Sequence, residues 1–157
     1  MILYWMSFDM NVRLATITDL NEISSLFDTY RVFYRQLSNI DQSTAFVRER
    51  FLNQQSWILV VEQEGRLVGF SQLYPMFSSV SVHRLMVLND LFVVTEKRGT
   101  GLGRALISAS QRLAKEMGFE TMTIATEKGN AKARQLYPEI GFKEDSNFIH
   151  YTMTLND

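Results

Sequence analysis

The stretch Arg98-Gly99-Thr100-Gly101-Leu102-Gly103 decides the fold, because it joins an apolar extended run to a long helical pattern. Its three glycines leave the backbone N–H groups free to turn inward and approach a ligand closely. The helix behind it adds unpaired first-turn N–H donors and the positive end of its dipole. Arg98 and Arg104 flank the turn with positive charge. We interpret the stretch as a phosphate-binding loop, with a plain tight connection as the alternative.

Two familiar phosphate loops do not fit these residues. A Walker loop ends in Gly-Lys followed by Ser or Thr, whereas this chain has Gly103-Arg104-Ala105. The dinucleotide fingerprint has the spacing Gly-x-Gly-x-x-Gly, whereas this loop has Gly-x-Gly-x-Gly. The sequence therefore favours a different kind of phosphate site.

The hydrophobic periodicity predicts an α/β chain with a mixed sheet. Strands are predicted at 11–15, 57–61, 67–70, 85–94 and 120–125, with closing strands at 142–143 and 148–153. Helices are predicted from a capping box of Asp19 with Glu22, from Ser43, over 102–117 and over 131–140. The strand, helix and strand around the glycine loop imply a right-handed crossover between parallel strands. Pro138 predicts a kink in the last helix.

Composition narrows the function classes. A length of 157 residues fits one domain, and a formal net charge of −1 favours neither nucleic acid nor an anionic membrane. There is no cysteine and only two histidines, so we expect no metal site. The first residues lack the features of a signal peptide, and no later stretch predicts a membrane span, which indicates the cytoplasm.

A second motif follows the loop, Asn130-x-x-Ala133-x-x-Leu136-Tyr137-x-x-x-Gly141-Phe142. With Arg-x-x-Gly-x-Gly after a strand, it resembles the signatures of the GNAT superfamily of N-acetyltransferases, and the resemblance covers roughly 12–154. It implies a single-domain, twisted mixed sheet whose central parallel strands splay apart, with flanking helices and with acetyl-CoA as co-substrate.

The resemblance assigns parts of acetyl-CoA to particular residues. Pantetheine is expected to pair with the backbone of the strand at residues 91–93 and to bind Asn130, which is also a candidate for a plain N-cap. The diphosphate is expected to bind the glycine loop. The expected cofactor-binding residues are Leu91, Phe92, Val93, Arg98, Gly99, Thr100, Gly101, Leu102, Gly103, Arg104, Asn130, Ala133 and Tyr137.

The resemblance also implies direct attack of an amine on the thioester, without an acyl-enzyme. Tyr137 resembles the family's acid for the departing thiolate. Asn89 occupies the position at which polyamine-type relatives carry a glutamate, so Asp90 is our candidate base. Strand alternation points Asp90 to the opposite face unless a bulge intervenes. The alternative bases are Glu62, Glu127 and His83.

Aromatic residues in excess of a helix stripe suggest an acceptor pocket, with core packing as the alternative. The candidates that line it, together with Asn89, are Tyr30, Phe33, Tyr34, Tyr74 and Phe77.

The leading function is an acetyl-CoA-dependent N-acetyltransferase acting on a primary amine, either of a small molecule or of an amine-bearing residue. A non-catalytic acyl-CoA sensor is the alternative. A nucleic-acid-directed or histone-directed enzyme has no electrostatic support. The oligomeric state stays open, with a homodimer among the arrangements considered.

Overall fold

The computed structural model describes residues 11–155, which divide into two compact units within Met1–Ala125 and Thr126–Asp157. The strands are β1 (Val12–Leu14), β2 (Trp57–Gln63), β3 (Arg66–Ser78), β4 (His83–Val93) and β5 (Thr121–Ile124). The helices are α1 (Leu20–Phe33), α2 (Ile40–Leu52), α3 (Leu102–Glu116) and α4 (Ala131–Ile140). The sheet with α1–α3 lies in the larger unit, and α4 lies in the smaller one. The predicted mixed α/β class is confirmed.

The five strands form one sheet in sequence order. The first three pairs are antiparallel, and β4 with β5 is parallel. Glu64 and Gly65 close the β2–β3 hairpin with φ angles of 53° and 74°, as a primed two-residue turn requires. The chain between β4 and β5 contains α3, which is the predicted crossover.

Helices cover both faces of this sheet. Neighbouring residues of a strand point to opposite sides, so they contact different helices. Phe70 of β3 packs beside Phe27 of α1, with ring centroids 6.2 Å apart. The next residue, Ser71, is hydrogen-bonded to Ser110 of α3 over 3.0 Å. The core of the α1 face consists of Leu20, Ile23, Leu26, Phe27, Val47, Ile58, Val60, Leu67, Phe70 and Phe92.

A β-bulge interrupts the β3–β4 ladder at the centre of the sheet. Gln72 pairs with Asp90, but the next residue of β3, Leu73, pairs with Leu88. Asn89 is therefore the extra residue of β4. In a strand without a bulge, Asp90 would lie on the same face as Leu88, two residues earlier in β4. With the bulge, Asp90 lies on the face of Phe92 and α1.

The pairing of the two parallel strands ends next to the bulge. Their ladder ends where Leu88 pairs with Ile124, whereas β4 continues to Val93. Within residues 11–125, no strand pairs with this edge of β4 between residues 89 and 93. The predicted mixed sheet with a parallel pair of strands is confirmed, and the pairing ends where the resemblance predicts that these strands splay apart.

The helix α1 begins after Asp19 as predicted, but its predicted capping box and the predicted start of α2 are wrong, because other partners bind those side chains. Glu22 accepts a hydrogen bond from the Leu67 N–H over 3.0 Å instead of closing a capping box. Asn39, not Ser43, caps α2 by accepting from the Gln42 N–H over 3.0 Å. Ser43 lies inside the helix, where its hydroxyl donates to Asp28 over 2.8 Å.

The closing strands predicted at 142–143 and 148–153 are wrong. Phe142 instead ends α4: its N–H donates to the Tyr137 carbonyl and Gly141 N–H to Pro138, both over 3.0 Å, with Gly141 at φ 112°. A strand needs a hydrogen-bonding partner, and the described part of the smaller unit contains none. Exposed apolar residues of this segment are Phe148, Ile149, Tyr151, Met153 and Leu155.

Candidate active site

The glycine loop has the backbone geometry of an anion site. Gly99 and Gly101 adopt φ angles of 78° and 89°, which L side chains rarely tolerate. Gly101 is the N-cap of α3, and its carbonyl accepts from the Ala105 N–H over 3.0 Å. A glycine offers no side-chain acceptor, so the N–H groups of residues 102–104 have no cap from it. A Cβ built on Gly99 or Gly103 meets no atom within 4 Å, so the space over the loop is open.

Arg98 connects the loop to the aromatic face of the sheet. Its Nε donates to the Val93 carbonyl over 2.8 Å. Its guanidinium carbon lies 5.1 Å from the centroid of the Phe33 ring and 5.5 Å from that of Phe92. The side chain is thus held by a backbone carbonyl and by two cation–π contacts. Arg104 lies on the exposed first turn of α3.

The open edge of β4 offers the backbone groups of two of the three predicted residues. In an antiparallel ladder, alternate residues direct their N–H and C=O groups at the partner strand. The Val94 N–H donates to Val68 over 2.9 Å, and the Phe92 carbonyl lies 2.7 Å from where a Cβ at Gly69 would be. Phe92 therefore points its backbone groups at β3, so those of Leu91 and Val93 point toward the open edge.

An extended ligand with an anionic end fits these features together. A strand edge that turns its backbone groups away from the neighbouring strand can pair with an amide-containing arm, as in β-strand addition. On this edge the Val93 carbonyl also accepts from Arg98. The glycine loop at the end of the same strand can hold a phosphate group. The residues present therefore fit a pantetheine and diphosphate group such as coenzyme A carries.

Asp90 is a buried carboxyl group at the bulge, with 6% of its surface exposed. Asn89 Nδ2 donates to its Oδ1 over 3.1 Å, and the Tyr30 hydroxyl donates a second hydrogen bond. Burial raises the pKa of Asp90 above its usual value, although these two hydrogen bonds oppose the shift. A buried carboxyl with a raised pKa is suited to general base catalysis.

Tyr74 and Arg50 lie on the approach to this carboxyl. Burial, and then the charge of Asp90, raises the pKa of Tyr74 to about 12, while a hydrogen bond from Arg50 opposes the rise. The Tyr74 hydroxyl therefore stays protonated at neutral pH. Arg50 also donates to Gln55 over 2.7 Å and lies 4.3 Å from the centroid of the Phe46 ring.

Gln72 is a site residue that the sequence reasoning did not identify. It is fully buried opposite Asp90, and its Nε2 donates to Ser56 Oγ over 2.8 Å. Among the described residues, its Oε1 is a buried side-chain oxygen without a hydrogen-bond partner. The available signal was a long amide inside the mostly apolar stretch Leu67–Leu73.

The aromatic candidates divide between two places. Tyr30 and Tyr34 have ring centroids 5.0 Å apart, Phe33 lies 5.2 Å from Tyr34, and Tyr30 lies 6.1 Å from Phe92. These rings therefore form one cluster, on the face of the sheet to which Asp90 also belongs. Phe77 instead pairs with Arg84 near the β3–β4 hairpin. There it lines an open cavity of about 350 Å³ with Ser78, Ser79, Val82, His83, Arg84 and Glu120.

The alternative bases of the larger unit have other partners. Glu62 accepts from Arg13 over 3.2 Å, at the end of β2. His83 Nε2 lies 2.8 Å from Thr121 Oγ1, at the start of β4 and seven residues before Asp90. Within residues 11–155, no cluster of His, Cys, Asp or Glu is arranged to hold a metal, and no helix is long and apolar enough to cross a membrane.

The smaller unit contains the second motif. Asn130 is the N-cap of α4, and its Oδ1 accepts from the Ala133 N–H over 3.1 Å. Tyr137 is half-buried, with its ring centroid 5.9 Å from that of Phe142. The helix continues through Pro138 to Ile140. The capping role of Asn130 is observed, and its role toward pantetheine stays a prediction.

An open strand edge that leads to an anion loop is suited to an elongated, phosphorylated ligand. Residues 22–142 match the model of the acetyltransferase (GNAT) family. The chain is 45% identical to the uncharacterized N-acetyltransferase YhfO of Bacillus subtilis over 146 residues, which cover 93% of this chain and 98% of that protein. The chain belongs to the GNAT family of acetyltransferases.

Solved structures agree with this assignment. The crystal structure of a probable acetyltransferase has a TM-score of 0.86 at 36% identity, and the match covers 94% of this chain and 99% of that one. A predicted acetyltransferase from Clostridium acetobutylicum, solved with acetyl-CoA, shares the fold with a TM-score of 0.74 at 14% identity over 90% and 95% of the two chains.

Proposed function

We propose that this protein is an acetyl-CoA-dependent N-acetyltransferase that acts on a primary amine of a small molecule or of an amine-bearing residue. The observation that supports it best is the open edge of β4, which runs from the bulge at Asn89 to the glycine loop. Family membership supports acetyl transfer in general, and the site residues supply the finer assignment.

The backbone of this chain holds the co-substrate in our account. Leu91 and Val93 pair with the pantetheine arm along the open edge, and the N–H groups from Arg98 to Arg104 hold the diphosphate. Asn130 and Ala133 contribute from the start of α4. When bound, acetyl-CoA supplies a thioester carbon that an amine can attack. The N–H donors of the open edge are also the groups available to the oxyanion that forms on attack.

Asp90 is the proposed general base. It takes one proton from the acceptor ammonium, which leaves a neutral amine with a free lone pair for attack. Tyr30, Phe33, Tyr34 and Tyr74 form the wall against which the acceptor packs. The chain has no cysteine to carry an acetyl group, which is in keeping with direct transfer. Tyr137 donates a proton to the departing sulfur, and the second proton that the attacking nitrogen loses as it becomes an amide restores the Tyr137 hydroxyl.

A screen of amine classes with acetyl-CoA tests the proposal. Purified protein is incubated with aliphatic amines, polyamines, amino acids, aminoglycosides and lysine peptides, while thiol release is followed and products are identified by mass spectrometry. We expect thiol release that requires both protein and amine, with an N-acetylated product. Saturable acetyl-CoA binding without transfer to any class would favour the sensor instead. The cytoplasmic setting, the single domain over 1–157 and a homodimer remain predictions from the sequence.

A further inference from the structure

The side-chain amide of Gln72 is buried beside Asp90. One of its polar atoms has no hydrogen-bond partner among the described residues. Gln72 and Asp90 are direct partners across β3 and β4, so their side chains leave the same face of the sheet. Gln72 is 0% exposed and Asp90 is 6% exposed. Ser56 fixes the NH₂ end of the amide over 2.8 Å, which leaves Oε1 as the end without a partner.

A buried acceptor of this kind carries a desolvation cost unless a donor reaches it. An ionised carboxylate offers only acceptors, so it cannot satisfy Gln72 Oε1. A protonated carboxyl carries one O–H donor. Of the groups facing Asp90, Tyr30 donates to the carboxyl from α1, and Tyr74 on β3 receives a hydrogen bond from Arg50 of α2.

We propose that Gln72 is a positioning residue whose Oε1 accepts the O–H of Asp90 when Asp90 holds the acceptor's proton. The inference rests on the proposed role of Asp90 as general base. In that step an N–H bond of the acceptor ammonium breaks and an O–H bond forms on Asp90. The amine keeps the electron pair, and Gln72 stabilises the new carboxylic acid. The same contact favours proton uptake by Asp90.

The test is an NMR titration of the Asp90 side-chain carboxyl carbon in wild-type protein and in the Gln72→Met variant. Methionine keeps the length of the side chain and removes the acceptor. We expect the pKa of Asp90 to fall by about half a unit to one unit, the size of one neutral hydrogen bond. The low-pH limb of kcat/KM should move by the same amount. Ser56→Ala frees the amide from its anchor and should move the pKa in the same direction by less.

The sign of the shift decides the inference. If the amide were turned so that its NH₂ faced an ionised Asp90, the Gln72→Met change would raise the pKa, and our proposal would be wrong. An unchanged pKa would also overturn it. Ser71→Ala is the matched control, because Ser71 is equally buried on the other face of β3 and binds Ser110. That variant should leave the pKa of Asp90 where it is.

The same data separate this inference from the proposed function. A fall in the Asp90 pKa without a matching shift of the kinetic limb would support the Gln72–Asp90 contact and remove Asp90 as the base. If the kinetic limb coincides with the Asp90 pKa in the wild type and neither of them moves in Gln72→Met, Asp90 stays the base and the role of Gln72 is overturned.

Discussion

At the scale of single residues, the position of Asp90 depends on one extra residue in β4. The sequence placed a carboxylate beside Asn89, but strict alternation pointed it away from the expected site. The bulge at Asn89 reverses that direction and brings Asp90 to Tyr30. A bulge is set by the register between β4 and its partner strand β3, so it could not be predicted from β4 alone. Gln72 was not predicted as a site residue for the same reason, because its pairing with Asp90 depends on that register.

Asp90→Asn should separate activity from stability. The folded state raises the pKa of Asp90, mainly by burial, so it binds the proton more tightly than the unfolded chain does. Stability is therefore lost as pH rises from the unfolded pKa through the folded one, and this loss persists at pH 7. We expect Asp90→Asn to raise Tm at pH 7 and to match wild type below the unfolded pKa.

The kinetics of this variant should change in the opposite sense. Removing a general base costs roughly a hundredfold or more in kcat/KM, and the low-pH limb of the profile should disappear. Asp145→Asn is the control, since Asp145 is exposed and accepts a hydrogen bond from the nearby Asn147 N–H over 2.9 Å. A normal kcat/KM with an unchanged pH profile would exclude Asp90 as the base.

Tyr137→Phe should lower kcat while leaving acetyl-CoA affinity and Tm nearly unchanged. The variant removes only the hydroxyl, whose hydrogen bond to the departing thiolate forms mainly in the transition state. A hydrogen bond to a charged group is worth roughly 1.5–3 kcal/mol, which predicts a fall of about ten- to a hundredfold. Single-turnover kinetics measure the chemical step directly. A wild-type rate there would remove Tyr137 from the mechanism.

At the scale of elements, the glycine loop and α3 were the most predictable parts of the chain. The glycines and the long apolar stripe of α3 are local signals, and the helix runs over Leu102–Glu116 as expected within one residue. The start of α1 after Asp19 was also predictable, but its capping and the start of α2 were less so. Glu22 binds the backbone of β3, and Ser43 binds Asp28 of α1. Tertiary partners took these side chains, and local capping rules cannot foresee such partners.

Asp28→Asn should weaken the connection between α1 and α2. Asp28 accepts from Ser38 Oγ over 2.6 Å, from the Asn39 N–H over 2.9 Å and from Ser43 Oγ over 2.8 Å. The amide replaces one acceptor oxygen by a donor, so at least one of these bonds is lost. We expect the free energy of unfolding at pH 7 to fall by roughly 1.5–3 kcal/mol, which is measured as a lower urea midpoint.

The pH dependence of that difference is its internal control. The folded state lowers the pKa of Asp28, mainly through the hydrogen bond from Ser38. The other hydrogen bonds to the carboxylate and the charge of Arg31 act in the same direction. Its contribution is therefore complete above the unfolded pKa and is lost as pH falls through the folded pKa. The wild-type and Asp28→Asn curves should converge in acid. A constant difference at all pH values would mean that packing, not ionisation, causes the loss.

At the scale of the whole molecule, the fold class and the splayed strands were predictable, but the C-terminal segment was not. The splay of the strands was predicted from the family resemblance, and the β4–β5 pairing ends at Leu88. The alternating apolar pattern at 148–153 predicted a strand. Alternation alone does not supply a hydrogen-bonding partner, and residues 126–155 contain none.

Amide hydrogen exchange with and without saturating acetyl-CoA tests the central claim most directly, because it locates the co-substrate on the backbone. We predict slower exchange in peptides that span residues 89–93 and 98–104, and no such change in the Gly101→Val variant, whose side chain is strained at φ 89°. Protection confined to other segments, or unchanged exchange in both of these peptides at saturation, would contradict the account.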